Sequence, residues 1–157
     1  MNRAYIAFGA NLSNPRETLM QVVTKLGEAG VVIDRVSNLW ASPAWPPGTG
    51  APDYRNAVLA VGTMLEPEAL MALLLDIETA LGRVRTVRNA PRVCDLDLID
   101  YAGRLSDNPR CILPHPRMAR RDFVLRPLAE VAGPDWRHPV GGQSVEALLA
   151  ALETIPA

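Results

Sequence analysis

Residues 88–100 have the sequence RNAPRVCDLDLID, in which acid and leucine alternate from Asp95 to Leu98. A period of two predicts a β-strand with one apolar face. Asp95 and Asp97 then project from the other face, with Cα atoms about 7 Å apart at a rise of roughly 3.4 Å per residue. Mg²⁺ takes oxygen ligands from one or two carboxylates and from substrate phosphates. The stretch therefore predicts a metal site beside bound phosphate, and the alternative is a surface-facing strand edge with solvated charges.

Arginine is concentrated around this strand. Of the 16 basic residues, 15 are arginine, and ten of these lie between Arg83 and Arg126 with only five acids, a net charge of +5. The rest of the chain carries six basic and twelve acidic residues. A local surplus in a near-neutral chain favours a small polyanion over nucleic acid. Because a guanidinium matches phosphate oxygens two at a time, we assign phosphate binding to Arg83, Arg85, Arg88 and Arg92.

The bulk composition predicts an ordinary globular protein. With 157 residues, 48% hydrophobic and 21% charged, we expect one domain over residues 1–157. No apolar run approaches the roughly 20 residues of a membrane span, and the first residues do not resemble a signal peptide. Two cysteines, Cys94 and Cys111, do not make a disulfide framework. We therefore expect a monomeric cytoplasmic protein that binds neither membrane nor nucleic acid.

The pattern along the chain predicts the element order β-α-β-β-α-β followed by two helices. The expected elements are a strand over 4–8, a helix over 15–27 capped by Asn14, strands over 31–40 and 54–64, a helix over 68–81, the acid-leucine strand, and helices over 121–131 and 144–152. This order is typical of the ferredoxin-like α+β arrangement, an antiparallel sheet with two helices on one face. The C-terminal helices would cover the other face, giving three layers, α-β-α.

Residues 42–52 contain four prolines and two glycines, which exclude a regular element. A loop of this length is often a lid or a binding loop. Trp45 within it is either a hydrophobic plug or a ligand contact. His115 between two prolines is either a phosphate donor or part of a rigid turn, and we interpret His138 as structural.

Several further blocks, in the same order, resemble one family. They are Gly9-Ala10-Asn11-Leu12, Ser42-Pro43, Pro52-Asp53-Tyr54-x-Asn56-Ala57, Glu78-x-x-x-Gly82-Arg83-x-Arg85, Arg88-x-Ala90-Pro91-Arg92-x-x-Asp95-Leu96-Asp97-Leu98-Ile99, and Leu113 to Leu128. Together they resemble 6-hydroxymethyl-7,8-dihydropterin pyrophosphokinase, a folate-pathway enzyme. The resemblance covers nearly the whole chain. Asn89 departs from the residue that many members have, and Ile112 and Pro116 depart from residues that some members have.

The resemblance implies transfer of the terminal diphosphate of ATP to the hydroxymethyl group of the pterin, with release of AMP. It implies two Mg²⁺ ions on Asp95 and Asp97, with Arg83 and Arg92 nearest the transferred group. The implied pterin-binding residues are Ser42, Pro43, Trp45, Tyr54, Asn56 and Phe123. The implied ATP-binding residues are Glu78, Arg85, Arg88, Arg92, Leu98, Arg110, His115 and Arg121.

Other functional classes fit the sequence less well. A P-loop kinase needs a lysine after a glycine-rich loop, and the only lysine, Lys25, lies on the first predicted helix. A polymerase-palm or cyclase-like site would place another carboxylate on the first strand, and residues 4–9 contain none. An RNA-binding or ligand-sensing module is a further alternative. RNA readers expose aromatic side chains on a basic surface, whereas aromatic residues make up 5% of this slightly acidic chain.

Overall fold

The computed structural model describes residues 1–11, 14–42, 53–82 and 94–153. Its elements are β1 (Asn2–Ala10), α1 (Pro15–Glu28), β2 (Val32–Val36), β3 (Trp40–Ser42), β4 (Tyr54–Thr63), α2 (Pro67–Ala80), β5 (Asp95–Tyr101), a 3₁₀ turn (Met118–Arg120), α3 (Asp122–Val131) and α4 (Val145–Glu153). This order confirms the predicted α+β fold. No helix in the described ranges is long and apolar enough to cross a membrane.

The sheet has the strand order β2-β4-β1-β5, with β3 paired to the beginning of β4. Every strand pair is antiparallel. β1 therefore lies between β4 and β5, the strands that precede and follow α2. This is the ferredoxin-like topology that the element order predicted.

Each face of the sheet is covered by a helical pair. On one face, α1 and α2 pack against a core that includes Ile6, Leu59 and Leu98. On the other face, α3 and α4 pack against a core that includes Val58 and Ile99. The three-layer α-β-α arrangement is therefore confirmed.

Local sequence signals explain where two elements begin and end. The Asn14 side chain accepts a hydrogen bond from the Glu17 backbone N–H at 3.3 Å, and Pro15 opens α1, as predicted. The expected continuous strand over 31–40 is instead divided into β2 and β3. Ser37 causes the break, because its hydroxyl accepts the Val58 N–H at 2.9 Å in place of a backbone carbonyl.

Truncation of a core side chain on β4 tests this architecture. Leu59 is 0% exposed and packs in the core beneath α1 and α2. Leu59→Ala should lower the free energy of unfolding by about 2–5 kcal/mol, because the lost transfer energy adds to that of the cavity. Chemical denaturation measures this change.

Leu105 is the matched control, because its side chain is 65% exposed. Leu105→Ala should change the free energy of unfolding by no more than about 0.5 kcal/mol. Equal destabilisation by the two substitutions would contradict the assigned core.

Candidate active site

The strand register places Trp40, Asn56, Gly9 and Asp95 in one row across the sheet. With neighbouring strands about 4.8 Å apart, Asn56 and Asp95 lie roughly 10 Å from each other on either side of Gly9. Gly9 has no side chain to fill this gap, and a Cβ built there would lie 3.5 Å from Asn56 Oδ1. The gap leaves room for a ligand to lie across β1.

The next residue of β1 on this face of the sheet, Ala7, is also small. Ala7 lies between Val58 on β4 and Asp97 on β5, and it packs against the core beneath α3. Small residues at positions 7 and 9 thus separate the two carboxylates from the Asn56 amide. We call this shallow surface over Ala7 and Gly9 the β1 floor.

The predicted alternation in β5 is confirmed. Leu96 and Leu98 are buried in the core beneath α1 and α2, whereas Asp95 and Asp97 are partly exposed. The two aspartates therefore share the face that α3 and α4 cover. In the described part of the chain, no three His, Cys, Asp or Glu side chains cluster to form a complete metal site. Two carboxylates on one face fit Mg²⁺, which retains water and takes phosphate oxygens as further ligands.

Glu78 of α2 holds the main chain of β5 by a hydrogen bond. The Glu78 side chain is only 2% exposed, and its Oε2 accepts the Leu96 backbone N–H at 2.8 Å. In the described residues β1 is the single strand neighbour of β5, so this carboxylate accepts a backbone N–H at the outer edge of the strand. Glu78, predicted to bind ATP, thus holds the main chain between Asp95 and Asp97.

His115 lies beside the carboxylate pair. Its backbone N–H donates to the Ile99 carbonyl at 2.9 Å, which fixes this segment beside β5. Its Nδ1 accepts the Arg117 backbone N–H at 3.2 Å, so the neutral ring carries its proton on Nε2. Partial burial lowers the pKa of His115 most, Arg121 and Arg117 lower it further, and Asp97 opposes them. The ring is therefore a neutral hydrogen-bond donor near Asp97.

Two aromatic residues that the resemblance assigns to pterin binding, Tyr54 and Phe123, lie on this side of the sheet. Phe123, in the first turn of α3, packs against the core beneath that helix. The Arg121 guanidinium carbon lies 5.5 Å from the centroid of the Phe123 ring, within the range of a cation–π contact. By strand alternation, Tyr54 shares the face of Asn56 and Val58.

Asn56 is held by the short strand beside it. Its Nδ2 donates to the Trp40 carbonyl at 3.2 Å and to Ser42 Oγ at 2.7 Å. The residue is 6% exposed. The structure thus brings Ser42 and Asn56, both predicted pterin contacts, into one hydrogen-bonded group.

The remaining predicted residues are distributed differently. The Leu98 side chain is buried under α1 and α2, so an ATP contact from this residue would come from its main chain. Arg110 is exposed in a turn and its backbone N–H donates to Asn108. Six predicted site residues lie outside the described residues: Pro43, Trp45, Arg83, Arg85, Arg88 and Arg92.

Sequence reasoning gave no role to three residues near the site. Asn11 is 8% exposed, and its buried Oδ1 accepts no hydrogen bond in the described structure. Its position in the Gly9-Ala10-Asn11-Leu12 block, which resembles the family, could have indicated that Asn11 lies near the site. Trp40 and Glu130 form a hydrogen bond although they lie 90 residues apart in the sequence. No local sequence pattern predicts such a pair.

Comparison with known proteins gives a consistent result. A family model described as 7,8-dihydro-6-hydroxymethylpterin-pyrophosphokinase matches residues 5–133. A protein of Pseudomonas aeruginosa named 2-amino-4-hydroxy-6-hydroxymethyldihydropteridine pyrophosphokinase is 40% identical over 154 residues, covering 96% of this chain and 92% of its own. Proteins of the same name from Methylorubrum extorquens and Synechocystis are 38% and 36% identical, covering 98% and 96% of this chain and 95% and 76% of their own.

The two histidines predict how stability depends on pH. Burial lowers the pKa of His138, as it does that of His115, and His138 Nδ1 accepts the Val140 N–H at 3.2 Å. Below the ordinary pKa of about 6.5, the unfolded chain binds protons that the folded chain does not. Stability should therefore fall from about pH 7 towards the lowered pKa values.

His138→Asn should reduce this pH dependence, because the asparagine oxygen replaces the Nδ1 acceptor and does not titrate. Urea unfolding at several values between about pH 7.5 and 5.5 measures the slope. Constant or rising stability of the wild type towards pH 5.5, or an unchanged slope in the variant, would contradict the assigned environment.

Proposed function

Since the chain belongs to the 7,8-dihydro-6-hydroxymethylpterin-pyrophosphokinase family, we propose that it transfers the terminal diphosphate of ATP to 6-hydroxymethyl-7,8-dihydropterin. The hydroxymethyl oxygen attacks the β-phosphorus of ATP, and the bond from that phosphorus to the oxygen bridging the α- and β-phosphates breaks. AMP leaves with the bridging oxygen, and the hydroxyl proton passes to solvent. The product is a pterin diphosphate for folate biosynthesis.

The observation that carries the proposal is the row from Asn56 to Asp95 across the β1 floor. It separates an amide suited to a heterocycle edge from carboxylates suited to a metal–phosphate group by about 10 Å, two strand spacings. Substrates bound at the two ends would bring the hydroxymethyl group and the β-phosphate together over Ala7 and Gly9. Phosphoryl transfer depends mainly on such positioning and on charge neutralisation.

The family supports a metal-assisted reaction, and we propose two Mg²⁺ ions held by Asp95 and Asp97. Both carboxylates lie on the face of the sheet that contains the β1 floor. Glu78 accepts the backbone N–H of Leu96, the residue between them. When bound, such ions neutralise phosphate charge and stabilise the attacking and leaving oxygens of an in-line displacement. Phosphate oxygens and water would supply the other ligands of such ions.

We assign the ATP phosphates to His115 and Arg121 at the edge of β5. A neutral His115 donates from Nε2 without needing a proton from solvent, and Arg121 adds a fixed positive charge beside it. Further ATP contacts assigned from the sequence are Arg83, Arg85, Arg88, Arg92, Arg110 and the Leu98 main chain. Glu78, also assigned to ATP from the sequence, would act through the β5 main chain that its carboxylate holds. Arg83 and Arg92 are proposed to stabilise the transferred group.

We assign the pterin to the other end of the floor. Asn56 and Ser42 would bind its polar edge, with Pro43 and Trp45 beside them. Tyr54 and Phe123 would stack on the two faces of its ring, an arrangement that favours flat heterocycles. We further propose that residues 1–157 form a single domain that acts as a monomer in the cytoplasm.

The nucleotide product tests the reaction directly. The protein with Mg²⁺, ATP and the reduced hydroxymethylpterin should release AMP in equal amount to the pterin consumed, because the β,γ-diphosphate is transferred as a unit. Chromatography of the nucleotides after incubation distinguishes AMP from ADP. Release of ADP, or of AMP without pterin consumption, would refute the proposed transfer.

Substitution of one carboxylate tests the metal assignment. Asp97→Asn should lower kcat by about 10³-fold, because a metal contributes several kcal/mol to the transition state and each 1.4 kcal/mol is about tenfold in rate. The exposed Asp107 is the control, and Asp107→Asn should retain wild-type kcat. A wild-type rate for the Asp97 variant would refute the metal role.

A further inference from the structure

The Asn56 side-chain amide has one defined orientation. An amide nitrogen carries two donor hydrogens, and here Nδ2 faces two acceptors, the Trp40 carbonyl at 3.2 Å and Ser42 Oγ at 2.7 Å. With both hydrogens used, Oδ1 is the atom left to accept a hydrogen bond. That oxygen lies above Gly9, 3.5 Å from where a Cβ would be. Asn56 therefore presents an acceptor, not a donor, towards the β1 floor.

The acceptors that set this orientation belong to β3, a strand of only three residues at the sheet margin. It pairs with β4 through Trp40, Ala41 and Ser42, opposite Asn56, Arg55 and Tyr54. In the described ranges, its single strand neighbour is β4. Since isolated short strand pairs are marginally stable, the position of β3 depends on a contact from outside the sheet.

Glu130 of α3 supplies this contact. Its Oε1 accepts the Asn38 backbone N–H at 2.7 Å, and its Oε2 accepts the Trp40 indole N–H at 3.0 Å. Both carboxylate oxygens are thus used to hold the entrance of β3. Hydrogen bonds to an ionised carboxylate are about twice as strong as neutral ones. We call the chain of contacts from Glu130 through Trp40 to Asn56 the β3 tether.

The β3 tether joins the two parts of the proposed pterin subsite. Phe123 lies in the first turn of α3 and Glu130 in its last, two turns apart on one rigid helix. α3 carries Phe123, which is proposed to stack on the pterin. The same helix also fixes β3, the strand that orients the Asn56 amide. A shift of β3 would release the amide to turn its Nδ2 towards the floor.

We propose that Glu130 and Trp40 are positioning residues that set the hydrogen-bond polarity of this subsite. By holding Asn56 Oδ1 inward, they select a heterocycle whose edge presents an N–H donor, such as the 2-amino group of the pterin. The inference rests on the proposed function, because it assumes that the pterin edge lies against Asn56. Neither residue touches the substrate; both act through the backbone of β3.

Trp40→Phe tests the tether, because it removes the indole N–H and retains a ring. Trp136→Phe is the matched control, since the Trp136 indole N–H also donates to a carboxylate, Asp100 Oδ2, at 2.9 Å. The KM for the pterin should rise about tenfold in the Trp40 variant, the effect of losing one hydrogen bond to a charged group. It should stay unchanged in the Trp136 variant, as should the KM for ATP in both.

A specificity measurement separates positioning from general loosening. The wild type should bind the pterin much more tightly than its 2-deamino analogue, because only the former donates to Oδ1. The ratio of the two affinities should fall several-fold in Trp40→Phe and in Glu130→Gln. In the Glu130 variant, the amide nitrogen would face one of the two N–H donors, Asn38 or Trp40. The double variant should be no worse than either single variant, because both break one tether. A constant ratio in the variants would overturn the inference.

Side-chain NMR makes the tether testable independently of turnover. The two Asn56 Nδ2 hydrogens should exchange slowly with water in the wild type and in Trp136→Phe, and quickly in Trp40→Phe. Equal protection in all three proteins would overturn the tether. Failure of the wild type to make AMP from the pterin would instead overturn the proposed function, whatever the exchange rates show.

Discussion

The antiparallel pairing of β1 with both β4 and β5 is the constraint on which the site depends. This double pairing places Asn56 and Asp95 opposite the same glycine, and Val58 and Asp97 opposite the same alanine. A slip of one residue in either register would move every side chain of that strand to the opposite face. The buried leucines of β5 oppose such a slip, because they would then leave the core. Core packing and site geometry are thus fixed by one set of backbone hydrogen bonds.

Both ends of the floor are supported by carboxylates that do not face it. Glu78 of α2 holds the Leu96 N–H between Asp95 and Asp97, the proposed metal ligands, and Glu130 of α3 holds β3 beside Asn56. These acids come from helices on opposite faces of the sheet. A site that works by positioning and charge neutralisation needs such support, because small displacements of its groups weaken it strongly. The helical layers therefore contribute to the proposed chemistry as well as to stability.

Local patterns predicted the parts of the structure that depend on local physics. The acid-leucine alternation gave the two faces of β5, and Asn14 with Pro15 gave the beginning of α1. The break at Ser37 was missed because it depends on a side-chain hydrogen bond to Val58, a residue of another strand. The backbone contacts of Glu78 and Glu130 were missed for the same reason. Each acts on a backbone N–H that only the folded chain brings within reach.

The most direct test is a crystal structure with Mn²⁺ in place of Mg²⁺, a non-hydrolysable ATP analogue and the hydroxymethylpterin. The anomalous signal of manganese locates each metal ion independently of the protein model. We expect metal ions on Asp95 and Asp97, with the pterin edge against Asn56 Oδ1 and its hydroxymethyl group over the β1 floor. Metal bound away from these aspartates, or a pterin bound on the α1–α2 side of the sheet, would contradict the assigned site.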